Sequence, residues 1–93
     1  MLGGMTHNAS VSLTKIQCRM ARAALGWSAE QLGEHASVGL STVQRFELGG
    51  SRPTRGTLLL IRQAFEAAGV VFIEDHGVSY REPAAGDDIE GGQ

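Results

Sequence analysis

The sequence predicts a mainly α-helical protein, a bundle of four to five helices followed by a short C-terminal β-hairpin. Three observations carry that expectation. Apolar residues recur at helical spacing through four segments between Thr14 and Ala68, as core-facing helices require. Gly26, Gly49 and Gly69 punctuate the ends of three of them, and glycine is the residue that most easily leaves a helix through a left-handed turn. Beyond Val70 the pattern changes to the β-branched and aromatic run VVFIE and the alternating VSYR, which read as strands.

Taken in order, residues 1–12 hold little that promotes order and are expected to be a disordered N-terminal segment. A first helix is expected over 14–25, with Cys18, Ala21, Arg22 and Leu25 on one face and Gly26 after its end. Ser28 is a good N-cap for a second helix over 29–36, and Gln31 three residues later completes a capping-box pattern. Trp27, just before the cap, is placed to staple onto Leu32. Ser37-Val38-Gly39 form a tight connection to a third helix over 40–48. Val43 and Phe46 face inward from it and form a core with Leu32, Ala36 and Val38. Pro53 suits the approach to a fourth helix over 54–68, whose core stripe is Leu58, Ile61, Phe65 and Ala68. Leu59, Leu60, Ala64 and Ala67 give that helix a second apolar side. EDHG is a turn within a hairpin over 70–81, and EPAAGDDIEGGQ reads as a disordered acidic tail over 82–93. The helical domain spans 13–69.

Ninety-three residues suffice for one small domain with one modest core. An apolar share of 42% and a charged share of 19% are those of a globular chain. Cys18 is the single cysteine. It forms no intramolecular disulfide and no metal cluster, suits a reducing cytoplasm, and reads as a small buried apolar side chain. No apolar run approaches the roughly 18 residues of a membrane span. Residues 1–10 lack the basic and apolar regions of a secretory signal, and Met5 is a second possible start. His7, His35 and His76 share no ligand spacing. No nucleophile–base set, phosphate-cradling glycine loop or paired carboxylates stand out, so neither an enzyme nor a cofactor is expected.

The net charge of −2 conceals a division. From Thr14 to Arg62 the chain carries Lys15, Arg19, Arg22, Arg45, Arg52, Arg55 and Arg62 against Glu30, Glu34 and Glu47. After it, only Arg81 opposes Glu66, Glu74, Asp75, Glu82, Asp87, Asp88 and Glu90. A basic body with an acidic tail is compatible with a polyanionic partner in a way that a uniformly acidic protein is not.

Two short helices joined by a tight turn, SAEQLGEHASVGLSTVQRFELG, are the minimum device for presenting a helix to the major groove of DNA. Trp27, Ser28, Leu32, Ala36, Val38, Ser41, Thr42, Val43, Arg45, Glu47 and Gly49 stand where the lambda-repressor-like (XRE-type) helix-turn-helix regulators carry the same or similar residues. Arg52-Pro53, Thr57, Leu58 and Ile61 extend the match. Over about 14–69 the sequence resembles that family. Three positions depart from it. Ser37 replaces the turn glycine, so the turn is expected to adopt a conformation suited to serine. Gly39 replaces a capping Ser or Thr, and Ala29 replaces a polar residue that touches phosphate.

The resemblance implies double-stranded DNA as partner, with Leu40, Ser41, Gln44 and Arg45 facing base edges. Arg45 can bond guanine O6 and N7 together, Gln44 can do the same for adenine, and Leu40 can meet a thymine methyl. Thr42, Arg52 and Arg55 are the expected phosphate contacts. Arg22 and Glu47 occupy positions that form an ion pair in similar proteins. Transcriptional repression by a cytoplasmic homodimer is the implied function. Leu60, Ala64, Val70, Phe72, Ile73, Val78 and Tyr80 are expected at the dimer interface, since a lone two-stranded hairpin is marginal. In the alternative the hairpin folds back on its own helices. A second functional reading is a protein-interaction module, an antitoxin or anti-activator, that binds a partner protein through the C-terminal region.

Overall fold

The computed structural model describes residues 12–50, 52–73 and 77–81. The expected disordered ends, except for Ser12, and most of the EDHG turn lie outside the described residues. Four helices, α1 (Lys15–Leu25), α2 (Ala29–Ala36), α3 (Leu40–Leu48) and α4 (Arg55–Ala67), precede the strands β1 (Val70–Ile73) and β2 (Gly77–Tyr80).

Local chemistry fixes the helix starts. Thr14 caps α1 through a bond from Gln17 N, and the Gln17 side chain accepts from Thr14 N, both at 3.0 Å. Ser28 and Gln31 form the same reciprocal box at the start of α2. Thr54 caps α4 through Thr57 N, whereas Gly39 gives α3 no side-chain cap. Replacing such a cap by alanine typically costs about 1 kcal/mol. α1 and α3 end on left-handed Gly26 and Gly49.

The connection from α2 to α3 differs from expectation. Ser37 keeps the left-handed conformation, with φ 61° and ψ 43°, and is the only residue besides glycine at positive φ among those described. Its N–H and that of Val38 reach back to Glu34 O and Gly33 O, so the bonds that close α2 demand this backbone whichever side chain stands there. The turn also runs very close to α2: a Cβ on Gly33 would lie 2.6 Å from Val38 O.

One core unites the helices and the hairpin. Cys18 and Ala21 of α1, Leu32 and Ala36 of α2, Val43 and Phe46 of α3 and Leu58, Ile61 and Phe65 of α4 are buried together with Leu13 and Val70. Trp27 does more than staple its own helix. Its ring stacks on His35 at 4.1 Å and on Phe65 of α4 at 5.8 Å between centroids.

The strands pair antiparallel, Val70 with Tyr80 and Phe72 with Val78. Alternation puts one face of this hairpin on the bundle. Val70 is 2% exposed, Phe72, Val78 and Tyr80 pack against the core, and Phe72 meets Phe65 edge to face. Gln17, itself 1% exposed, donates to Gly77 O across 60 residues of sequence at 3.1 Å. Arg62 lies over the Phe72 ring and donates to Ser12 O and Glu66. Gly69 at φ 106° admits the chain into β1, and a Cβ there would meet Arg81 O at 2.6 Å. Of the residues expected at a two-fold interface, Val70, Phe72, Val78, Tyr80 and Ala64 are therefore engaged by the chain's own bundle. Leu60 and Ile73 are exposed, as are the neighbouring Leu59 and Val71.

Candidate nucleic-acid interface

α3 is divided lengthwise. Val43, Phe46 and Glu47 are buried, while Leu40, Ser41, Gln44, Arg45 and Leu48 are exposed and Thr42 is half-buried. Residues 40, 44 and 48 fall in one row at i, i+4 and i+8, with 41 and 45 in the next. The residues expected to read bases thus lie on one continuous surface of the helix. Leu48, 81% exposed, extends that row and was absent from the sequence-based set, although the same spacing that selects Leu40 and Gln44 selects it.

The buried side of α3 is held in register by a polar network. Arg22 Nε and Nη2 donate to the two oxygens of Glu47, each at 2.8 Å, a bidentate fork of the strong, direction-specific kind. Arg22 Nη1 donates to Trp27 O at 3.0 Å, and the Cys18 thiol donates to Glu47 Oε2 at 3.1 Å. Burial works to raise the Glu47 carboxyl, but the hydrogen bonds from Arg22 and Cys18 and the charges of Arg22 and Arg19 outweigh it and hold the group below its ordinary value. The hydrogen bond to Glu47 raises Arg22 further above its ordinary value. Burial, then the bond to Glu47, pushes the Cys18 thiol far up, so it remains a neutral donor. The network ties α1, the start of α2 and α3 together, fixing how the exposed face of α3 is presented.

Several basic side chains of the helical domain carry no ion pair among the described residues: Lys15, Arg19, Arg45, Arg52 and Arg55 make none, whereas Arg22 and Arg62 do. Arg52 shares a cavity of about 350 Å³ with Lys15, Phe46 and Gly49 at the C-terminal end of α3. Arg55 is exposed at the start of α4. The structure therefore brings Leu40, Ser41, Gln44 and Arg45 together on one helix and sets Arg52 beside its end. A second groove, between α2 and the start of α3, is flanked by Glu30, Glu34 and Leu40.

Among the described residues no three His, Cys, Asp or Glu gather as a metal site, and no helix is long and apolar enough to cross a membrane. His7 and His76 lie outside the described residues.

A helix-turn-helix family model matches residues 19–67, more than half of the chain. The match takes in α2, α3 and α4 whole and ends before the hairpin. No curated protein matches the chain. With α2 and α3, the tight turn between them and the outward face of α3, this match places the chain in the lambda-repressor-like (XRE-type) family of DNA-binding helix-turn-helix regulators.

Proposed function

We propose that this regulator binds a palindromic operator as a homodimer and represses transcription by occupying promoter DNA. The supporting observation is the division of α3: its inner face is fixed by core and ion pair, and its outer face offers Leu40, Ser41, Gln44 and Arg45 free of hydrogen-bond or ion-pair partners among the described residues. In this reading Arg45 and Gln44 bond base edges, Leu40 meets a thymine methyl and Ser41 bonds an adjacent base. Thr42, Arg52 and Arg55 hold phosphates and set the register. Two copies place their α3 helices in successive major grooves, about 34 Å apart. Leu60 and Ile73, with Leu59 and Val71, offer the exposed apolar surface through which the copies meet.

Selection from a random duplex library tests this, with wild type and Arg45→Ala compared at several salt concentrations. A two-fold symmetric site should be enriched, and Arg45→Ala should lose about 1–3 kcal/mol and relax preference at one base pair per half-site. An enriched site indifferent to Arg45 and Gln44 would reject α3 as the reading helix. Absence of any duplex binding would reject the function and favour a protein partner.

A further inference from the structure

Beside the reading face of α3 the structure holds a groove that the sequence-based contacts leave unused. It has a volume of about 450 Å³ and is lined by Arg19, Arg22, Ala29, Gln44, Glu47 and Leu48. Three helices contribute: Arg19 from α1, Ala29 from the first turn of α2, Gln44 and Leu48 from the exposed row of α3. Its two guanidinium groups are in opposite situations. Arg22 is committed to Glu47 and Trp27 O. Arg19 is exposed and makes no hydrogen bond or ion pair among the described residues. Glu47 feels the charge of Arg19, but its hydrogen bonds come from Arg22 and the Cys18 thiol and none comes from Arg19.

Across the groove Ala29 offers only a methyl group, and its first-turn N–H and that of Glu30 have no acceptor among the described residues. Glu30 itself lines the other groove, with Glu34 and Leu40, so among the residues lining this groove Glu47 is the one acidic side chain, and its hydrogen bonds come from Arg22 and Cys18. A guanidinium with no hydrogen-bond partner among the described residues, in a groove contiguous with Gln44, suits an oxyanion. When Gln44 lies in the major groove, the oxyanion in reach is a phosphodiester on the groove's edge.

We propose that Arg19 grips one backbone phosphate of the operator in this groove, supplying from α1 the charge that Ala29 cannot supply from α2. This rests on the reading of α3 as the groove-reading helix. Arg19 adds affinity for any sequence, in contrast to the base-selective Arg45.

The test is duplex binding by wild type, Arg19→Ala and Arg19→Lys between 50 and 200 mM salt, on the selected operator and on unrelated DNA. One lost phosphate contact lowers the logarithmic salt slope by about 0.9 per bound protomer. Wild type should thus lose about 3.5-fold more affinity per protomer over that range than Arg19→Ala does, or about 12-fold for a bound dimer, on both DNAs, while Arg19→Lys keeps the wild-type slope. Neutral methylphosphonates placed singly along the operator should reveal one position per half-site that weakens wild type and leaves Arg19→Ala unaffected. Inorganic phosphate at equal ionic strength should not compete, since the site takes its anion only as part of the duplex. An unchanged slope in Arg19→Ala, or a methylphosphonate penalty that persists in it at every position, would overturn the assignment while leaving Arg45-dependent recognition standing. Effective competition by inorganic phosphate would recast the groove as a site for the free anion and also overturn it. Failure of the wild type to bind either DNA would overturn both readings.

Discussion

Replacing Glu47 by glutamine should destabilise the domain far more than a surface charge change would. Glu47 is the acceptor for Arg22 and Cys18 at once, and the exposures of the Arg22 and Glu47 side chains are 23% and 9%. Breaking a fully buried pair by removing one partner costs about 3–5 kcal/mol. Because Arg22 retains some water, about 2–3 kcal/mol is expected here after allowance for solvent screening. For a domain of this size that lowers Tm by roughly 10–20 °C. The pH dependence has a definite sign. The folded Glu47 pKa is held below its unfolded value of 4.5. Its contribution is therefore complete above about pH 4.5 and is lost as pH falls through the lower folded pKa. Thermal melts of wild type and Glu47→Gln at pH 7 should differ by the full amount, and the two curves should converge as the solution is acidified below pH 4.5. A double-mutant cycle with Arg22→Met isolates the pair. A loss under 0.5 kcal/mol, or a gap that widens on acidification, would show that the fork does not stabilise the fold as argued.

Ser37→Gly should stabilise the protein by about 1 kcal/mol, because it relieves a left-handed serine while adding some unfolded-state entropy; an unchanged or lower Tm would refute the strain. Gly33→Ala gains about 1 kcal/mol of helix propensity but drives a Cβ against Val38 O, for which overpacking costs of about 1–3 kcal/mol are typical. A net loss in chemical denaturation is expected, and a gain would show that the turn yields freely. Cys18, buried and with its thiol pKa raised, should resist alkylation at pH 8 in the native protein and react fully in denaturant, so rapid native labelling would contradict the packing of α1 on α3.

The order of elements was legible because each helix start is written locally. Ser28 and Gln31 announce α2, and Thr14 and Gln17 carry the same spacing at α1, although only the first pair was read as a box. The hairpin was legible from its alternation. What it packs against was not, since Gln17 meets Gly77 and Phe72 meets Phe65 only after the chain has closed on itself. Trp27 shows the same limit. Its place before the Ser28 cap suggests a local contact with Leu32, but the decisive ring partners include Phe65 from α4. Leu40, Ser41, Gln44 and Arg45 could be chosen from periodicity and the resemblance. The groove joining Arg19 to Ala29 and Gln44 could not, because it depends on the angle at which three helices meet. The left-handed Ser37 reverses a reasonable inference from residue type: here the hydrogen bonds closing α2 set the backbone, and the side chain accepts it.

The seating of the hairpin bears on how two copies could ever associate. Its inner face is spent on α1 and α4, so a protomer completes its core without help and folding is first order in the chain. In the proposed homodimer, assembly through Leu60, Ile73 and their exposed neighbours would draw on surface that the fold does not need. The two equilibria are separable. Dilution should release folded subunits, free to exchange partners within a mixed population, and the melting temperature should be only weakly sensitive to protein concentration. Operator occupancy would then follow subunit concentration more steeply than linearly, giving the regulator a threshold set by association alone.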